Sequence, residues 1–173
     1  GTYGAEVLGL AEGDTVYSGA RFFFAYGLGN AMTFPMSVGA TTALFNGRPT
    51  PEVAARILSE EKPTVFCGVP TLYAATVAHL EAQGGAPEAP LRRCISAGEA
   101  LPEEIGKRWR ALFGVDILDG VGSTEMLHIF ISNRPGSARA GSTGQIVEGY
   151  EAKIVDEHGV EVPPRTVGTL LIK

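Results

Sequence analysis

From about residue 41 to residue 119, strand-like and helix-like segments alternate, and that alternation leaves few folds open. Thr41 to Phe45 reads as a strand stopped by the turn signal Asn46-Gly47. Thr50 then caps a helix with Pro51 at its first position and Glu52 near the positive end of its dipole. Val53, Ala54, Ile57 and Leu58 form the apolar stripe, and Lys62-Pro63 ends the helix. The unit then repeats. Thr64 to Cys67 is a strand, Gly68-Val69-Pro70 opens a helix to about Gln83, and a Gly/Ala/Pro loop spans Gly84 to Pro90. Leu91 to Ser96 is the next strand. After Leu101-Pro102 comes a helix with Ile105, Trp109, Leu112 and Phe113 on its apolar face, and Val115 to Leu118 is a strand again. Such a string predicts a parallel sheet with helices on its faces, joined by right-handed crossovers.

The flanks differ. Thr15 to Ser18 reads as a buried strand, and Phe22 to Tyr26 leads through Gly27-Leu28-Gly29-Asn30 into a helix ending near Val38. After about Arg134 the helical pattern stops. Tyr150 to Asp156, a turn at Glu157-His158-Gly159, and Thr169 to Ile172 predict short antiparallel strands. The expected division is an α/β subdomain over residues 1–134 and a truncated β-rich subdomain over 135–173.

Bulk properties exclude several classes. The 14 basic and 19 acidic residues leave a net charge of −5, so no basic surface points to nucleic acid. No run approaches the roughly 18 apolar residues needed to span a bilayer. Cys67 and Cys94 sit in apolar runs without neighbours at metal-ligand spacing, as expected of reduced core thiols in a cytoplasmic protein. The start, Gly1-Thr2-Tyr3-Gly4, has no charged leader pattern and no Met, and the end stops within a strand pattern. The chain therefore reads as part of something longer.

Ligands of open α/β sheets bind beyond the carboxyl ends of the strands. Three segments are expected there: Gly68-Val69-Pro70, Ser96-Ala97-Gly98-Glu99-Ala100-Leu101, and Asp119-Gly120-Val121-Gly122-Ser123-Thr124-Glu125. The first is ordinary punctuation before a helix. The last reads as a small-residue turn carrying a hydroxyl and a carboxylate, which suits a nucleotide with its metal. Glycine admits close backbone approach, a Thr hydroxyl bonds a phosphate oxygen, and a Glu oxygen is a hard ligand for Mg²⁺. A dehydrogenase fails on these residues, because Glu125 stands where the third glycine of Gly-x-Gly-x-x-Gly belongs. Tyr26, His128 and Phe22-Phe23-Phe24 each have a plain reading as core or surface side chains beside a ligand-contacting one.

Asp119 to Glu125 resembles the Tyr-Gly-x-Thr-Glu core of the adenylate-forming enzymes: acyl-CoA synthetases, peptide-synthetase adenylation domains and luciferases. Ser96 to Leu101 is similar to their adenine-binding turn. Gly141-Ser142-Thr143-Gly144-Gln145 and Gly168-Thr169-Leu170 are similar to their later Gly-rich and Gly-Glu-Leu segments. Phe22 to Ala31, with Asp119 to His128, resembles the benzoate-CoA ligase branch more closely still. The resemblance covers nearly the whole chain in order. It implies part of an adenylate-forming N-terminal domain, from an enzyme that activates an aromatic acid with ATP and Mg²⁺ and transfers it to CoA. Glu125 would hold the metal and Thr124 would bond the α-phosphate. Gly98, Glu99 and Ala100, with Asp119, Gly120, Val121, Gly122, Ser123 and Thr124, would bind the nucleotide, Asp119 accepting from its amino group. Ala25, Tyr26, Gly27, Ala97, Gly122 and His128 would wall the acyl pocket.

The chain departs from the pattern at two positions. Val121 stands where many relatives have an aromatic, and Phe24 where many have a His gate. The phosphate loop with its Pro-Lys-Gly, the ribose-binding Asp, the hinge and the lysine-bearing C-terminal domain lie outside this sequence, so the segment alone is expected to be inactive. The alternatives are a non-catalytic nucleotide-binding module, an adenylating enzyme for another carboxylic acid, or an α/β scaffold without ligand.

Overall fold

A computed structural model describes residues 3–173; Gly1 and Thr2, at the start of the expected α/β part, lie outside them. Among the described residues the main sheet has seven strands: β1 (Thr15–Ser18), β2 (Thr41–Ala43), β3 (Val65–Gly68), β4 (Arg93–Ser96), β5 (Ile117–Gly122), β6 (Ile129–Ser132) and β7 (Gln145–Ile146). Their order is β2-β1-β3-β4-β5-β6-β7. The first five run parallel, while β6 and β7 add an antiparallel edge. The order reverses at β1, and the crevice beside such a reversal is where open α/β sheets bind ligands.

Side chains alternate across this sheet, as a strand's period of two requires. Val16, Val65, Cys67 and Ile95 face one core with Tyr3, Val7, Phe34 and Ile129, while Tyr17, Phe66 and Cys94 face the other. On the second face lie α3 (Pro51–Glu60), α4 (Pro70–Ala82) and α5 (Glu103–Phe113). Trp109 of α5 is fully buried there, edge-on to Tyr73 with ring centroids 4.7 Å apart. Its indole N–H donates to Cys94 Sγ at 3.3 Å. Cys67 and Cys94 are both free and buried, and burial pushes the Cys94 thiol up to about 12. The first face is covered by α1 (Ala25–Leu28), a π-helical turn (Gly29–Thr33) and α2 (Phe34–Val38). Thr50 caps α3 as its sequence indicates, its Oγ1 accepting the Val53 N–H at 3.3 Å.

The parallel sheet with flanking helices and a small antiparallel sheet is the expected α/β class. That small sheet pairs β8 (Ala152–Val155) with β9 (Thr169–Ile172), Ala152 opposite Ile172. Asp156 Oδ1 accepts the N–H groups of His158 and Val160, closing the turn where Gly159 takes a left-handed φ of 79°. Three local expectations change. Asp119 to Gly122 is the end of β5 rather than a turn, so only Ser123 to Glu125 of that motif leaves the sheet. Residues 129–132 form a strand that the sequence did not suggest. The main sheet also continues past residue 134, because β7 bonds to β6.

At the amino ends of β1, β3 and β4, Asp14 is 4% exposed and binds Arg92 through both carboxylate oxygens. Thr64 Oγ1 donates to Asp14 Oδ1 at 2.7 Å, and the Ala11 N–H to Oδ2 at 2.9 Å. Burial alone would raise this carboxyl, but the Arg92, Thr64 and Ala11 bonds outweigh it and hold it at about 2. A carboxyl lower in the folded than the unfolded chain stabilises above its unfolded pKa, near 4, and loses that contribution as pH falls toward 2. The expected contribution at neutral pH is about 2 kcal/mol. Urea unfolding as a pH series checks it: Asp14→Asn should flatten the decline between about pH 4 and 2.

Candidate active site

A cleft of about 480 Å³ opens at the carboxyl ends of β1, β3, β4 and β5. It lies within the range of small-molecule sites. Ala25, Tyr26, Ala97, Gly98, Gly122, Ser123, Thr124 and His128 all line it. The two motif turns meet because β4 and β5 are parallel neighbours, with Ser96 opposite Asp119. The Leu101 N–H comes within 3.5 Å of Asp119 Oδ2, tying the first turn to β5. Small residues on that rim leave backbone and space where larger side chains would fill it.

Each wall is held from behind. The Tyr26 hydroxyl lies 3.1 Å from the Gly68 carbonyl and 3.0 Å from that of Ile95, so it is spent on the strand ends and the ring alone meets the cleft. Tyr73 donates to the same Ile95 carbonyl from the opposite face, at 2.9 Å. His128 stacks on Tyr26 at 5.6 Å and 19°, with Phe34 edge-on at 4.7 Å. It is 7% exposed, and neither ring nitrogen has a partner among the described residues. Burial drives its pKa down to about 4 against a smaller opposing pull from the Tyr26 backbone, so the ring is neutral at pH 7.

Gly29 makes the slot for this ring. A Cβ there would stand 2.5 Å from His128 Cδ2 and 3.1 Å from Phe34 Cε2. Gly29→Ala is therefore expected to push His128 into the cleft and to weaken binding of the aromatic acid that the sequence resemblance implies about tenfold, leaving nucleotide binding within about twofold. Titration of the original and substituted proteins with each ligand in turn checks this.

The remaining motif residues divide. Asp119 is buried and lines a second hollow of about 220 Å³ with Leu101, Asn133, Gly141 and Ser142. Burial raises its carboxyl, the Leu101 N–H at Oδ2 opposing it, and neither its Oδ1 nor the Ser96 hydroxyl has a partner among the described residues. Gly120 packs under Ile129 and Val121 is half-buried, whereas Glu99 and Ala100 are exposed at the turn. Gly27 is buried behind the wall and does not line the cleft; a Cβ there would meet the Arg21 carbonyl at 2.1 Å. Glu125 is exposed at the tip of its turn, where its own N–H and the Ser123 hydroxyl lower its pKa. No cluster of three His, Cys, Asp or Glu suited to a metal occurs among the described residues. A cation here would share Glu125 with oxygens of a ligand, as Mg²⁺ commonly does.

Gly19, Ala20, Arg21, Pro49, Val69 and Ile129 also line the cleft, and the sequence did not single them out as site residues, apart from Val69 in the Gly68-Val69-Pro70 segment. For Gly19, Ala20, Arg21 and Val69 the one available signal is position just past the end of β1 or β3, whereas Pro49 sits just before α3 and Ile129 opens β6.

A family model described as AMP-binding enzyme matches residues 2–173. The chain belongs to the AMP-binding enzyme family. Within it, a benzoate–CoA ligase from Thauera aromatica is 53% identical over 160 residues, which is 92% of this chain and 30% of that protein. A crystal structure of a benzoate CoA ligase from Burkholderia xenovorans LB400 superposes with a TM-score of 0.92 at 52% identity, covering 99% of this chain and 35% of that one. The anthranilate CoA ligase AuaEII in complex with anthranoyl-AMP gives 0.94 at 44%, with 99% and 33% covered. The chain thus spans about a third of the length of these relatives. No helix among its described residues is long and apolar enough to cross a membrane.

Proposed function

We propose that the whole protein carrying this segment is an ATP-dependent aryl-CoA ligase of the cytoplasm. It would join benzoate or a close aromatic acid to AMP and then transfer the acyl group to CoA. The observation that carries this reading is one cleft walled by Ala25, Ala97, Gly122 and the rings of Tyr26 and His128, with Thr124 on its rim. A largely apolar slot bordered by aromatic rings, beside a hydroxyl, suits an aromatic acid held next to a phosphate.

In the first step the acid's carboxylate oxygen attacks the α-phosphorus of ATP, the bond to pyrophosphate breaks, and an acyl-adenylate results. The CoA thiol then attacks the acyl carbon, and AMP leaves. Thr124 donates its hydroxyl to the α-phosphate. Gly98, Glu99 and Ala100 line the base, with Gly120, Val121, Gly122 and Ser123 opposite. Asp119, whose buried Oδ1 lacks a partner among the described residues, accepts from the base's amino group. Glu125, exposed and ionised, holds Mg²⁺, which when bound neutralises phosphate charge. His128, neutral at pH 7, shapes the slot and does not counter the acid's charge. Gly27 acts from behind, by letting the chain pass Arg21.

Benzoate-dependent ATP–pyrophosphate exchange by the whole protein tests the reading. Exchange with aromatic acids and little with alkyl acids is expected. Exchange with neither, across a panel of both, overturns the enzyme assignment.

A further inference from the structure

We propose that Tyr150 is a positioning residue for the turn that carries Thr124 and Glu125; this rests on the proposed role of that turn at phosphate and metal. The turn is short of support. Inside it, the Ser123 N–H reaches the His128 carbonyl at 3.3 Å, the Met126 N–H reaches Ser123 Oγ at 3.3 Å, and the Leu127 N–H reaches the Thr124 carbonyl at 3.0 Å. Leu127 adopts a left-handed φ of 67° while 79% exposed. That conformation is sterically unfavourable for a leucine, and burial returns nothing for it. Such a backbone persists only where its surroundings over-determine it.

One end is fixed by His128, wedged between Tyr26 and Phe34. Tyr150 fixes the middle. Its hydroxyl donates to the Met126 carbonyl at 2.9 Å, from 24 positions away. Among the described residues this is the hydrogen bond that reaches Thr124 to Leu127 from another element. The donor is itself anchored: the Tyr150 N–H bonds the Val147 carbonyl at 3.2 Å, Val147 is fully buried, and the Tyr150 ring packs on Phe130 at 6.2 Å. The hydroxyl therefore holds the Met126–Leu127 peptide, one residue past Glu125, against the first core. Through Met126 it couples the carboxylate side of the turn to the histidine side.

Tyr150→Phe in the whole protein removes this bond and keeps the ring. The kcat of benzoate-dependent ATP–pyrophosphate exchange is expected to fall about tenfold, the KM for benzoate to stay within about twofold, and the melting temperature to hold. Amide hydrogen exchange at residues 124–127 should speed up while β8 and β9 stay protected. An unchanged kcat, unchanged amide exchange in the turn, or kcat and melting temperature falling together with loosening across β8 and β9 each overturns the proposal. Absence of exchange activity in the unsubstituted protein refutes the ligase reading instead, and the amide measurement then decides by itself whether Tyr150 holds the turn.

Discussion

Glu125→Ala is expected to lower benzoate-dependent ATP–pyrophosphate exchange by the whole protein about 10²- to 10³-fold, with no change in melting temperature. The size follows from the proposed task. Removing one preorganised group that meets transition-state charge costs roughly 10²–10³ in kcat, and a metal ligand at a phosphate belongs to that class. The silence in stability follows from exposure: apart from its own N–H and the Ser123 hydroxyl, no group among the described residues holds this carboxylate. Glu125→Gln keeps the shape without the charge and should approach the alanine variant. Glu125→Asp keeps the charge on a shorter arm and should recover part of the rate. Exchange assays at saturating acid with Mg²⁺ varied check the series. A Glu125→Ala protein within about threefold of the original rate would remove the metal role and favour a nucleotide-binding module without turnover.

The layered fold was legible because its signals are local. Thr50-Pro51-Glu52 combines a capping hydroxyl, a proline at the first helical position and an acid in the first turn, and Trp109 reads as core from helical spacing alone; both stand as expected. The strand at Asp119 to Gly122 was hidden for the opposite reason. Strands announce themselves by alternating side chains, and Gly120 and Gly122 have none to alternate, so composition argued for a turn. Ile129 to Ser132 is too short to separate from a buried helical segment by periodicity. The cleft followed from resemblance more than from pattern. What neither source gave is the set of distant supports: Gly29 behind His128, the strand-end carbonyls behind the Tyr26 hydroxyl, and Tyr150 behind Met126. Such pairs are set by how the chain crosses itself, and spacing along the sequence carries no trace of them.

Gly122→Ala should be the most damaging single methyl among the glycines that line the cleft. An added Cβ would lie 2.3 Å from the His128 carbonyl oxygen, 2.7 Å from its carbon and 2.7 Å from Ile129 Cα. All three are backbone atoms, so no rotamer change relieves the contact. The strands β5 and β6 would have to part at the irregularity between Val121 and Gly122, where their pairing already shifts register. Overpacking that moves backbone costs about 1–3 kcal/mol, occasionally more, and the upper end is expected here. The same displacement carries Ser123 to Glu125 on one side and His128 on the other, so exchange activity should fall about 100-fold or more. Gly13→Ala is the matched control, since a Cβ there meets nothing within 4 Å, and its effect should stay within about 0.5 kcal/mol. Denaturant unfolding and exchange assays on both variants separate the two cases. If Gly122→Ala kept both the stability and the rate, β5 and β6 would have to yield freely at the irregularity. The geometry of the turn from Ser123 to Glu125 would then not be set by their pairing, which is the physical basis for reading this rim as a preorganised site.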